Sequence, residues 1–183
     1  MYERDLRIFC LDTAPTAVGW AFAEGRSPPT CGTYHPPRCG ERFVIAGHEF
    51  RAWLHGRITS LEPHVVVIEK PIHVPTNDLK TLRLQYGFPM LATLACSDRA
   101  VKYDEYPLDE VRQSFLGRTY RKIYRNRPAL KAAVIAECRA RGWQPADDNA
   151  ADALAVLDLA RVKHLTGWIS RVQARLGLSE VAA

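Results

Sequence analysis

The sequence lacks the long apolar runs and the paired cysteines that mark membrane-spanning and disulfide-stapled proteins. No stretch approaches the roughly 18 apolar residues that indicate a transmembrane helix, and the residues after Met1 contain no hydrophobic core of a secretion signal. The 5 cysteines are odd in number and form no C-x-x-C pair. These absences predict a soluble cytoplasmic protein whose thiols are reduced.

A zinc site is also not expected. Cys31, His35 and Cys39 lie close together in the sequence. A structural zinc ion needs four ligands, and a fourth is not evident. The three residues are therefore interpreted as ordinary loop and core residues.

Internal repeats, low-complexity tracts and linkers are missing as well. Their absence indicates one globular domain over residues 1–183, with its core at about 7–162. The net charge is +5, and Glu137 is the sole acid between Arg112 and Arg141. This segment would suit a polyanionic partner. Its bases are Arg112, Arg118, Arg121, Lys122, Arg125, Arg127, Lys131, Arg139 and Arg141.

Hairpin-like early strands followed by alternating strand and helix signals predict a mixed α/β domain. Apolar and β-branched runs indicate five strands, at residues 7–11, 18–23, 30–34, 65–69 and 101–105. Helical spacing of apolar residues indicates helices at about 41–61, 77–96, 108–116, 128–141 and 147–163, and an amphipathic one at about 165–181. Gly87 and Pro89 are expected to bend or divide the second helix. Gly19, inside the second strand, predicts a close backbone approach.

Four acidic residues lie where such a fold would bring them together. Asp12 ends the first apolar run, Glu69 ends the run Val65–Ile68, and Asp148 and Asp152 open an alanine-rich helix. Carboxylates at the ends of buried strands are held rigidly at the surface, so neighbouring strands can direct them to one point. Such oxygen ligands suit two Mg²⁺ ions about 3.5–4 Å apart, which can stabilise the attacking and leaving oxygens at a phosphorus atom.

Each acid also has a purely structural interpretation. Asp12 would suit a turn after the strand, and Glu69 could pair with one of the many arginines. Asp147 or Asp148 is a natural helix N-cap. Asp152 is harder to explain in this way because it lies a full turn inside the helix. The set of acids is therefore more informative than any single member.

Four segments of the chain resemble, in order, characteristic segments of the RuvC-type Holliday junction resolvases. The first contains Asp12, Gly19 and Trp20 and is similar to the family's D-P-G-x-x-x-x-G-W-A opening. The others are similar to its second acidic strand, its V-R-x-x-x-x-G segment and its closing D-A-A-D-A-L-A. Lys131 falls where the family carries a lysine that opens a helix. The segments are residues 11–21, 66–71, 111–117 and 148–155.

This resemblance implies an RNase H-like fold, with a mixed five-stranded sheet flanked by helices. It implies a homodimer that binds a four-way DNA junction and, with Mg²⁺ (or Mn²⁺ as a substitute), cuts two strands of like polarity. A branch-migration helicase is compatible as a further partner. Lys131 would contact a phosphate or stabilise the transition state. The implied metal ligands and catalytic acids are Asp12, Glu69, Asp152 and one of Asp148 and Asn149.

Three departures from the family pattern indicate a divergent member of phage or prophage type, active in the bacterial or host cytoplasm. Thr13 and Ala14 replace the Pro-Gly that follows the first acid. Ile72 stands where well-known members have an aromatic residue that stacks at the junction's centre. The family places Asp or His three residues before its last acid, where this chain has Asn149, whereas Asp148 lies four residues before. Both spacings share a helix face with the last acid, so either residue could be the third ligand.

The basic stretch between residues 118 and 131 would suit a loop that follows the DNA backbone, with interleaved tyrosines as stacking surfaces. The alternative is a solvated basic loop. The candidate DNA contacts are Arg118, Tyr120, Arg121, Lys122, Arg125, Arg127, Lys131 and Ile72.

These features together predict a metal-dependent, structure-selective DNA endonuclease that resolves four-way junctions. One alternative is a nuclease of the same fold that acts on other branched DNA or structured RNA. Another is a catalytically inactive junction-binding protein. The expected dimer contact is the helix around 79–94, because its apolar residues recur at helical spacing and because the resemblance to the family implies a contact there. These residues are Leu79, Leu82, Tyr86, Met90 and Leu94.

Overall fold

A computed structural model describes residues 5–38, 43–72 and 78–165. Within these ranges the chain forms one five-stranded sheet with helices on both faces. The strands are β1 (Arg7–Ala14), β2 (Ala17–Glu24), β3 (Thr30–Tyr34), β4 (Val65–Glu69) and β5 (Lys102–Tyr106). The helices are α1 (Phe43–Leu61), α2 (Leu79–Asp98), α3 (Leu108–Leu116), α4 (Tyr120–Ile123), α5 (Arg127–Ala140) and α6 (Asp148–His164).

The sheet is mixed, with strand order β3-β2-β1-β4-β5. The pairs β1–β2 and β2–β3 are antiparallel, whereas β1–β4 and β4–β5 are parallel. In the parallel pair at the centre, Leu11 lies beside Ile68. The next residue on each strand is an acid, Asp12 on β1 and Glu69 on β4. Since neighbouring strands lie about 4.8 Å apart, the two acids reach the same edge of the sheet side by side.

Alternation of side chains along the central strand divides the core into two halves. Phe9 and Leu11 pack with α1 and α2 on one face. Ile8 and Cys10 pack with α3, α5 and α6 on the other face. Asp12 continues the second series, so its carboxylate lies on the side of the sheet that α6 covers.

The predicted five-stranded mixed α/β architecture is confirmed, and the predicted helices within the described ranges are found to within about two residues. Three details differ. The first hairpin turns at Pro15 and Thr16, so Asp12 lies inside β1 rather than in the turn. Helix α2 is not divided at Pro89, because its buried contacts, which include Phe88 and Ala92, offset one lost backbone hydrogen bond.

The third difference is the short helix α4, which is too brief for a periodic apolar pattern to reveal it. The amphipathic helix expected at about 165–181 lies outside the described residues beyond Leu165, as does Cys39. Among the described helices, none combines the length and apolar character needed to cross a bilayer.

Candidate active site

The N-terminus of α6 is seated directly on the hairpin that carries Asp12. Gly19 on β2 is paired with Asp12, and a methyl group at Gly19 would lie 1.9 Å from the carbonyl oxygen of Asn149. The close backbone approach predicted for Gly19 is therefore confirmed. It brings the first turns of α6, and with them the buried Asp152 (8% exposed), against the strand ends.

The start of α6 is capped by Asp147, not by Asp148. The Asp147 carboxylate accepts a hydrogen bond from the Ala150 amide at 2.8 Å and another from the Thr33 hydroxyl on β3 at 2.7 Å. Because Asp147 satisfies the helix end, capping does not account for Asp148. The cap also ties the helix to the edge strand, which keeps α6 in register with the sheet.

Asp12, Glu69 and Asp152 repel one another in a poorly solvated space. Burial, followed by the charge of Asp152, raises the pKa of Asp12 to about 7. Burial, followed by the charges of Asp12 and Asp152, raises the pKa of Glu69 well above its ordinary value. Burial also raises the pKa of Asp152, although Arg112 opposes the shift. Like charges held together in this way favour a bound cation.

Arg112 on α3 is a site residue that was not predicted. It is 9% exposed, and its guanidinium donates a hydrogen bond to the Asp152 carboxylate at 3.2 Å. Its charge also opposes the rise in the pKa values of Asp12 and Glu69. The V-R segment of the sequence contained the signal, but spacing alone does not distinguish Arg112 from the other bases of the stretch.

Lys131 on α5 supplies a second cation to the site. Its ammonium group pairs with the Asp148 carboxylate, and this contact holds the pKa of Asp148 below its ordinary value. Lys131 also opposes the raised pKa values of Asp12 and Asp152. The fold thus places Lys131 beside the acids, and its predicted role at a phosphate stays a prediction.

The donor chemistry of the site fits a hard divalent cation, since carboxylate oxygens are the ligands that Mg²⁺ and Mn²⁺ take. Within the ranges that the structure describes, no three acidic, histidine or cysteine side chains are arranged to hold a metal ion as they stand. Two of the acids, Asp148 and Asp152, are instead paired with Lys131 and Arg112. Metal binding would require these carboxylates to turn away from their cations.

The basic stretch divides into buried and exposed parts. The ring of Tyr120 is 4% exposed, and its hydroxyl donates to the Asp109 carboxylate at 2.7 Å. Arg121 pairs with the same carboxylate. The prediction that Tyr120 offers a stacking surface to DNA is therefore corrected, because its ring packs inside the protein. The exposed bases of the stretch are Arg118, Arg121, Lys122, Arg125 and Arg127.

Ile72, the residue expected at the centre of a junction, is 48% exposed. Its carbonyl oxygen accepts a hydrogen bond from the Gln85 side chain on α2. This contact connects the chain segment after Glu69 with the helix predicted to form the dimer contact.

No family model and no curated protein matches the sequence. Among solved structures, the chain is similar to Thermus thermophilus RuvC in complex with a Holliday junction substrate, with a TM-score of 0.63 and 15% identity over 94% of this chain and 96% of that chain. A second Thermus thermophilus RuvC structure gives a TM-score of 0.60 and 18% identity, over 94% and 97% of the two chains. The yeast mitochondrial Holliday junction resolvase Ydc2 gives a TM-score of 0.57 and 11% identity, over 88% and 82%. The chain therefore shares the fold of these RuvC and Ydc2 structures, as the sequence predicted.

Proposed function

We propose that this protein is a metal-dependent, structure-selective DNA endonuclease that resolves four-way junctions by paired phosphodiester cleavage. One observation carries the proposal. On a fold shared with junction resolvases, Asp12 and Glu69 lie at the same edge of the sheet on adjacent strands, and the charge of Asp152 on α6 raises the pKa of both. A purely structural role would not require three acids to be held together against their mutual repulsion.

The acids would hold the metal, and the neighbouring cations would act on the substrate. Asp12, Glu69 and Asp152 are the proposed ligands, completed by Asp148 or Asn149, and two Mg²⁺ ions per site are expected. Bound metal would supply an activated water and neutralise the charge that develops on the leaving oxygen. Lys131 is proposed to contact a phosphate oxygen once the Asp148 carboxylate turns to the metal.

Arg112 is proposed to position Asp152 rather than to contact the DNA. It is buried, and its guanidinium is already engaged by that carboxylate. The exposed bases Arg118, Lys122 and Arg125 are proposed to follow the phosphate backbone. In this proposal, strand cleavage and DNA binding are carried out by different surfaces of the molecule.

A homodimer is proposed through α2. Leu79, Tyr86, Met90 (62% exposed) and Leu94 lie exposed along this helix, while Leu82 is half-buried. A four-way junction offers two equivalent strands, and a two-fold dimer presents two equivalent sites. Sedimentation should give a dimer at micromolar concentration for the wild type and a monomer for Met90→Glu. A wild-type monomer whose activity stays linear in protein would contradict the dimer.

The decisive experiment compares purified protein on four-way, three-way, flap and linear DNA and on structured RNA, with Mg²⁺ or Mn²⁺ at fixed salt. Preferential, symmetric incision of the four-way junction is expected. Equal or better cleavage of other branched DNA or of RNA would assign a different substrate to the same site. Junction binding without cleavage under any metal would identify an inactive junction-binding protein.

A further inference from the structure

A cavity opens at the same edge of the sheet as the acids but on the opposite face of β1. Its volume is about 450 Å³, within the range of small-ligand pockets. Its walls come from the β1–β2 turn, the segment after β3, and the first turns of α1 and α2. The wall residues include Pro15, Thr16, Pro36, Pro37, Phe43 and Leu84.

We propose that this cavity receives one unpaired nucleobase of the strand that is cut, next to the phosphate held at the acids; this inference rests on the proposed function. Pro15 follows Asp12 by three residues, and three residues span at most about 11 Å. A DNA strand whose phosphate lies at Asp12 therefore brings a neighbouring nucleotide to the mouth of the cavity.

The walls have the chemistry of a base-binding slot. Proline rings and the Phe43 ring offer flat apolar surfaces, and extruded bases are typically held between aromatic and apolar side chains. One polar group on the wall is the Thr81 hydroxyl, which donates to the Asp78 carboxylate at 2.9 Å. Its lone pairs can accept a hydrogen bond from a base amino or imino group.

Charge at the cavity fits a nucleotide whose base points inward and whose phosphate stays outside. The exposed Arg38 contributes to the wall, and the Arg83 guanidinium lies 4.8 Å over the Phe43 ring. Asp78 also lines the cavity, which disfavours a phosphate inside it. The aliphatic side chain of Ile72 has no ring on which a base can stack. In this proposal the apolar cavity supplies that surface.

The test uses full-length protein and four-way junctions that carry 2-aminopurine at successive positions near the branch point, with Ca²⁺ as the divalent ion. Unstacking of the probe raises its fluorescence, so this readout does not depend on cleavage. Two variants fill the cavity, Ala46→Met from the helix side and Thr16→Met from the exposed turn. The matched controls are Ala52→Met and Thr59→Met, at exposed positions of α1 that do not line the cavity.

For the wild type and both controls, fluorescence is expected to rise at one position next to the cleavage site. Both cavity variants should lose that rise and bind the junction at least about fivefold more weakly, the loss that one base contact represents. Thr16→Met keeps the test valid if Ala46→Met fails to fold, since Thr16 is exposed.

Three results would overturn the assignment. If the wild type binds and cuts junctions but the cavity variants and controls respond alike, the base pocket fails while the nuclease stands. If the cavity variants change self-association and leave the fluorescence unchanged, the cavity holds a side chain of a second copy. If the wild type neither binds nor cuts branched DNA, the proposed function fails and the pocket assignment fails with it.

Discussion

Gly19 on β2 and Asn149 on α6 are in direct backbone contact, since a methyl group on Gly19 would lie 1.9 Å from the Asn149 carbonyl oxygen. The partner is backbone, which cannot rotate out of the way as a side chain would. This contact sets how closely the helix that carries Asp152 approaches the strand that carries Asp12. The seating of α6 on the hairpin therefore depends on the absence of a side chain at position 19.

Gly19→Ala should lower stability by about 1–3 kcal/mol or more, the usual cost of overpacking, and should reduce cleavage by displacing α6. Urea unfolding and the junction assay measure the two effects. The control is Gly56→Ala on α1, where a methyl group would meet no atom within 4 Å. That variant should be stabilised by up to about 1 kcal/mol because alanine favours the helix. Equal effects of the two substitutions would contradict the proposed contact.

Asp12→Asn and Glu69→Gln should abolish Mg²⁺-dependent cleavage and leave junction binding largely intact. The reason is that the acids are proposed to hold metal while the exposed bases bind phosphate. Cleavage rates and binding isotherms on the same junction separate the two effects. A variant that keeps a tenth or more of the wild-type cleavage would remove that residue from the site.

The third ligand can be assigned by paired substitutions. If Asp148 is the ligand, Asp148→Asn should lose most activity, and a higher metal concentration should recover part of it, since a full charge binds Mg²⁺ better than an amide oxygen. Asn149→Ala should then cost little. The opposite result, a silent Asp148→Asn and an inactive Asn149→Ala, would make the Lys131–Asp148 pair purely structural.

DNA affinity should depend steeply on salt through the exposed bases. Each lost phosphate contact should reduce the slope of log K against log salt by about 0.9 on duplex arms. Charge reversal of Lys122 and Arg125 should therefore weaken binding to all DNAs. Arg121→Glu is the comparison variant. This substitution should reduce affinity less, because Arg121 is already paired with Asp109. Unchanged affinity in the double variant would make this stretch merely solvated surface.

The metal-free protein should lose stability as the pH rises from about 4 to 7. Asp12 has an ordinary pKa when unfolded and a pKa of about 7 when folded, so in this window the folded state binds the extra proton. Stability falls with rising pH wherever the folded state binds more protons. Asp12→Asn should remove this penalty, which is present at pH 8 and small at pH 4. The measurement is urea unfolding of the wild type and of Asp12→Asn at pH 4 and pH 8, without and with Mg²⁺. If the substitution stabilised the protein equally at the two pH values, the titration of Asp12 would not be the cause.

Local patterns in the sequence were enough to predict the strands, most helices and the ends of β1 and β4, where two of the acids stand. Apolar runs and helical spacing are properties of residues that are close together in the sequence, so they can be recognised without any knowledge of packing. The same patterns predicted the close approach at Gly19. Whether Asp12 would lie in the turn or inside the strand was not determined by them, because the pairing with β2 extends the strand.

Packing between distant elements decided the rest of the site. Arg112 reaches Asp152 because α3 packs beside α6, and nothing in the spacing of two residues 40 positions apart distinguishes a buried arginine from an exposed one. The Tyr120 hydroxyl likewise reaches Asp109 across the turn between α3 and α4. The sequence determined which charges the protein carries, and only the tertiary structure decided which of them face each other, since burial and pairing arise from contacts between elements that no local pattern records.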